Sequence, residues 1–315
     1  GAIVLWAFSA LIIAAILSPW FYSSGKQFAA YAANNELPGF FEWIAASCGR
    51  AELGRYHNRA MLFSAICLLP VLIRRIRNIS RQSDATGIIF TTPIGTRNAI
   101  IHLLTACLIA GGILWLAGMA LELAGVYAEK TEPIKIARIV KKALVPAITA
   151  SFIEEWIFRG LLLGLWLRTD KPIKACIGSS LLFSFLHFLN PPDFISDPAH
   201  AMAGFVLLEK TLVHFADPLF FITDFATLTA VGLILCWARI RTNSLWFPIG
   251  LHAGWILAFK TQNLFFTQAT HHWLKPWGIG ESLRSGLVPM LALAITAVVC
   301  YFVLNRLCPK QPQES

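Results

Sequence analysis

Charge is scarce in this chain. Asp, Glu, Lys and Arg make up only 14% of it, against about a quarter in an ordinary soluble domain. The seven cysteines, Cys48, Cys67, Cys107, Cys176, Cys236, Cys300 and Cys308, include no close pair. That argues against a structural zinc site or a disulfide framework, which need paired cysteines in polar loops. Most of them fall in apolar blocks and read as small hydrophobes inside helices. No repeat of fixed period and no linker divides the sequence, so one integral domain is expected. A net charge of +9 would suit a nucleic-acid binder, but a basic stripe with interleaved aromatics is missing. The basic residues sit in short clusters beside apolar blocks, such as Arg74, Arg75 and Arg77, or Lys141 and Lys142. Loops that face anionic lipid headgroups are built this way, so the partner expected is a lipid bilayer and not nucleic acid.

Apolar sequence is what the chain has in abundance: 57% is hydrophobic and the mean hydropathy is +0.63. It comes in blocks near the ~20 residues that cross a bilayer core. The expected fold class is all-α, a polytopic transmembrane helical bundle of about eight spans. These are expected near residues 2–22, 60–73, 99–126, 143–167, 173–189, 218–238, 245–259 and 287–307. The first block lacks a basic flank and a small-residue cleavage pattern, and reads as a retained span rather than a signal peptide. The stretch 40–46 is amphipathic, and 127–142 suits an interfacial helix rather than a span. Loops are expected around Gly87 and Pro93, and from Asn190 through Asp193, Asp197 and Glu209 to Asp217. Basic residues in the short loops favour both termini inside, with Lys141 and Lys142 against it, and a multi-pass protein of a bacterial inner membrane is expected.

Within these spans some residues do not belong in lipid. An ionisable side chain deep in a span costs roughly 2.5–3.5 kcal/mol and marks a cavity or a partner. The fourth span carries three: Glu154, Glu155 and Arg159. Glu155 and Arg159 are four apart and share a helix face, where they can pair. Glu154 lies about 100° around the helix and lacks that partner, which leaves it the better candidate for general base. Gly160 follows, allowing a second helix to approach. The fifth span contains His187 and the seventh His252. Two membrane histidines together with a Glu-Glu-Arg helix fit one shared polar cavity. Such groups can deprotonate a water and stabilise an oxyanion, or hold a zinc ion. The chemistry expected is hydrolysis of an amide in a membrane-embedded substrate.

These residues resemble the CPBP family, the CAAX-processing and bacteriocin-processing intramembrane proteases, also called the Abi family. Its Glu-Glu-x-x-x-Arg motif reads Glu154 to Arg159, its Phe-x-x-x-His motif reads Phe183 to His187, and its third motif begins at His252. The resemblance covers about residues 142–259. It implies an intramembrane endopeptidase in which Glu154 with His187 activates the water, Glu155 with Arg159 supports them, and His252 stabilises the oxyanion. It also implies a membrane-associated protein or peptide as substrate. The family has been described both as glutamate-based without a cofactor and as metal-dependent; in the latter case Glu154, His187 and His252 would hold zinc. The cofactor-free reading is favoured because no further ligand with metal-like spacing stands on these helices. The third motif departs from the family at Ile256, where a polar residue such as Asn is usual. Trp255, on the same helical side as His252, is the candidate replacement donor, and Phe183 and Trp255 are the candidate substrate-binding residues.

On this reading, 1–130 holds N-terminal transmembrane helices and loops, 131–262 the CPBP-like catalytic core, and 263–315 a loop and the C-terminal span. Two rivals use the same polar residues: a proton-coupled transporter, and a non-catalytic membrane scaffold or immunity protein. Paired His271 and His272, with Trp273 and Trp277, read as an interfacial aromatic belt.

Overall fold

The computed structural model describes residues 1–82, 94–131, 133–189, 196–269, 272–280 and 283–307. The expectations for Gly87, Pro93, Asn190, Asp193, His271 and Cys308 lie outside the described residues. In chain order the elements are α1 (Ala2–Ala33), α2 (Gly39–Arg50), α3 (Leu53–Gln82), α4 (Thr96–Leu123), β1 (Tyr127–Glu129) and α5 (Ile136–Ile139). A π-helical turn, Val140–Leu144, leads into α6 (Val145–Glu155). A second π-helical stretch, Trp156–Leu162, joins α6 to α7 (Leu163–Trp166). Then come α8 (Pro172–His187), α9 (Ala203–Leu212) and α10 (Pro218–Phe220). A π-helical turn, Phe221–Phe225, joins α10 to α11 (Ala226–Thr242). α12 (Trp246–Phe265), β2 (Phe266–Gln268) and α13 (Leu287–Leu307) complete the described chain.

Every expected span falls on helix. By length and composition, four helical stretches among the described residues qualify to cross a membrane: Ala2–Ala33, Thr96–Leu123, Pro218–Thr242 and Leu287–Leu307. This is an integral membrane protein. The remaining expected spans coincide with α3, the run from α6 to α7, α8 and α12, which are shorter, interrupted or carry charged side chains.

Residues Gly1–Asp84 with Leu186–Asp217 form one compact unit. In it α1 packs on α3 and α9. The buried residues of α1, Ile3, Ala7, Ala10, Leu11, Ala14 and Ala15, recur at helical spacing and supply that face. Leu53, Ala203 and Leu207 form a small apolar centre under Tyr22. On α2 the rings of Phe40, Phe41 and Trp43 are exposed, as an interfacial helix requires. The segment expected as one loop from 190 to 217 contains α9; its ten residues were too few and too mixed in character to read as a span.

Residues Ala85–Phe185 with Pro218–Ser315 form the second unit. Here α12 packs along α4 and against α6, and α13 packs on α4 and α11. The α4–α12 contact needs bare backbone. A Cβ added at Gly250 would strike the Leu103 carbonyl, and one at Gly254 would lie 2.9 Å from the Gly111 nitrogen. Phe247, Leu251, Trp255 and Ala258 fill the core beside Ala106, Ala110 and Leu114 of α4 and Leu235 and Ala238 of α11. The expected interfacial helix at 127–142 is only partly helix. Tyr127–Glu129 instead pairs antiparallel with Phe266–Gln268, Ala128 opposite Thr267. A three-residue strand shows no periodicity, so only its distant partner reveals it.

Candidate active site

The Glu-Glu-Arg segment sits where α6 gives way to the π-helical stretch: Glu155 is the last residue of α6 and Arg159 lies within the wider turn. π-Helical insertions are frequent at functional sites. Glu155 and Arg159 are both 0% exposed. Arg159 donates from Nη1 to Glu155 Oε1 at 2.9 Å, the pairing expected from their spacing. Arg159 also donates from Nη2 to the Gly232 carbonyl of α11 at 3.4 Å. The face of the guanidinium is covered by Phe183, whose ring centroid lies 4.4 Å from Cζ, with Phe158 at 5.9 Å. A desolvated cation–π contact of this kind is worth about 2 kcal/mol. Gly160 packs against Leu245, whose Cδ1 would lie 3.3 Å from an added Cβ.

His252 reaches both carboxylates from α12. Its Nδ1 is 2.8 Å from Glu155 Oε1, and its Nε2 is 3.9 Å from Glu154 Oε2. A carboxylate can only accept, so the short contact assigns the proton to Nδ1 and turns Nε2 toward Glu154. Glu155 Oε1 therefore receives two donors, one from Arg159 and one from His252. Glu155 Oε2 and Glu154 Oε2 are buried with no hydrogen-bond partner among the described residues. The Glu154 side chain is 27% exposed, the most open group of the cluster. Phe183 is 1% exposed and meets the His252 ring edge to face, 6.2 Å between centroids.

The second unit thus brings together Glu154, Glu155, Arg159, Phe183 and His252. His187 is the last residue of α8 and falls with the first unit. Trp255 is 7% exposed and belongs to the apolar core; Ile256 is half-buried on the next position. Two contributors went unnoticed in the sequence. The Gly232 carbonyl carries no side-chain signal, and only the glycine interrupting an apolar run hints at it. Phe158 was hidden as one of many span aromatics. Among the described residues no three His, Cys, Asp or Glu side chains converge to hold a metal ion.

Residues 136–258 match the family model described as type II CAAX prenyl endopeptidase Rce1-like. The chain carries an Rce1-like domain. No curated protein and no solved structure matches the chain. The Rce1-like domain begins at α5 and ends in α12, so it takes in all three motifs. The matched family is one of proteases, which agrees with the CPBP resemblance of the sequence.

Proposed function

We propose that this chain is an intramembrane endopeptidase, and that residues 131–262 contain its catalytic machinery. The substrate class proposed is a membrane-associated protein or peptide of the CAAX prenyl type named in the family's description. The observation that carries the reading is the double reach of His252: Glu155 fixes one ring nitrogen at 2.8 Å while the other faces Glu154. A ring oriented by one buried carboxylate and aimed at a second is an acid–base arrangement.

In the proposed reaction Glu154 accepts a proton from the attacking water. The hydroxide adds to the scissile carbonyl. His252, its ring oriented by Glu155 through Nδ1, helps to stabilise the oxygen as charge develops there. Glu154 then returns the proton to the leaving amine, and the peptide bond breaks. Arg159 keeps Glu155, and through it His252, in register; Phe183 fixes Arg159 and His252 from the side. Trp255 is the proposed substitute for the polar residue absent at Ile256, and Trp255→Phe retaining full activity would remove it from the mechanism.

The test is cleavage of prenylated and unprenylated membrane peptides by the purified protein in lipid, beside Glu154→Gln. Loss of a general base lowers the rate ~10²–10⁴-fold. Full activity in Glu154→Gln would refute the proposal. Activity abolished by a chelator and restored by zinc would replace the water activation by Glu154 alone with a metal-held one.

A further inference from the structure

Beside Arg159, α8 and α11 meet along a line of small polar residues. Cys176, Ser180 and Ser184 stand one turn apart on α8; Thr229, Gly232 and Cys236 answer them on α11. Ser184 and Thr229 hydroxyls are 3.0 Å apart. Ser180 donates to the Cys176 carbonyl at 2.7 Å and reaches Cys236 Sγ at 3.7 Å. A Cβ at Gly232 would lie 2.8 Å from Ser180 Cβ, so the helices touch here only because position 232 is glycine. At the end of this line Cys236 Sγ lies beside Ser180, one turn from Cys176, and both thiols lie in the field of the Arg159 guanidinium. Both are free cysteines, Cys236 buried and Cys176 partly open. They stand within about one turn and a half of Lys171 and Arg239, near the basic ends of their helices. In the sequence they stand as isolated residues of apolar blocks, 60 positions apart.

We infer that Cys176 and Cys236 are a redox-modification site, closing to a disulfide that disturbs the Arg159–Glu155–His252 chain. The coupling follows from the geometry. Cys236 is one turn from Gly232, whose carbonyl holds Arg159 at 3.4 Å; Cys176 is one turn from Ser180, which abuts Gly232. Drawing the two sulfurs into covalent contact moves both helices at the point where Arg159 is anchored. The oxidant is a small peroxide able to enter the bilayer. One thiolate attacks the peroxide oxygen and becomes a sulfenic acid, with release of one water. The second thiol displaces a further water from that sulfur, forming the S–S bond; two thiols lose two electrons and the peroxide gains them. A dithiol reverses the step by exchange.

The effect on catalysis rests on the protease reading, but the cross-link does not. The full chain in lipid is treated with hydrogen peroxide, digested without reduction and examined by mass spectrometry. A peptide joining Cys176 to Cys236 is expected, sensitive to dithiothreitol and absent from Cys176→Ser. Cleavage of the membrane peptide should fall about tenfold to a hundredfold on oxidation and return with dithiothreitol. Cys176→Ser should keep its basal rate and lose the sensitivity. Oxidation of Cys67, which is exposed, without any 176–236 cross-link would overturn the site. A cross-linked enzyme with unchanged cleavage would overturn the coupling to Arg159. If the reduced protein cleaves nothing, the protease reading fails, and the cross-linked peptide alone decides whether the site stands.

Discussion

Glu155 and Arg159 are both fully buried and joined at 2.9 Å, so changing one strands the other. Breaking a buried pair by removing one partner costs ~3–5 kcal/mol. Arg159→Leu is therefore expected to lower thermal stability steeply in detergent, while Glu155→Gln combined with Arg159→Leu recovers much of that loss but no peptidase activity. Equal destabilisation by the single and double variants would refute this. The pair was legible in the sequence, because a helix places i and i+4 together whatever surrounds it. The second donor on Glu155 was not, since His252 arrives from 97 positions away. His57 tells a separate story. It stands near the start of α3, before the apolar block of that helix, and is 5% exposed with Nδ1 unpartnered among the described residues. Burial penalises its protonated ring and pushes its pKa from 6.5 down to about 4. Below 6.5 the unfolded chain takes up a proton that the folded chain refuses. The stability present above pH 6.5 is thus lost as pH falls toward 4, by ~3 kcal/mol in all. His57→Gln should flatten that slope in thermal unfolding measured across pH 4–7; an unchanged slope would show that His57 does not cause it.

At the scale of elements, α12 is fixed by α4 on one side and α6 on another, and His252 is carried between these contacts. Gly254, two positions on, has no room for a side chain against Cys107 and Gly111. Gly254→Val is expected to cost ~1–3 kcal/mol through overpacking and to lower peptide cleavage more than Gly254→Ala does. Equal thermal stability of Gly254→Val and the parent would contradict this packing. The helices themselves were readable from apolar blocks, including α13, whose expected limits of 287–307 match Leu287–Leu307. Interruptions were not. The π-helical stretch after Glu155, the β1–β2 pair and α9 are short, and their existence depends on partners that no local period announces.

At the scale of the molecule, four helices among the described residues are long and apolar enough to cross a membrane, and the basic residues cluster at the ends of apolar blocks. The protein is expected to stay in the membrane pellet after alkaline carbonate washing; release into the supernatant would be inconsistent with these helices. The buried Glu, His and Arg would also suit a proton-coupled carrier. That rival predicts proton flux after a pH jump in liposomes, and the protease reading predicts none above empty liposomes.

The sequence by itself determined that this is a helical membrane protein with an acidic, basic and imidazole cluster, because hydropathy and the helical repeat act locally along the chain. It also assigned Arg159 to Glu155. Only the tertiary structure decided that His252 bridges both glutamates, that a Gly232 carbonyl anchors Arg159, and that Cys176 meets Cys236. Each of these depends on the closeness of two helices. That closeness is set by glycines and buried rings whose effect appears only when the helices pack.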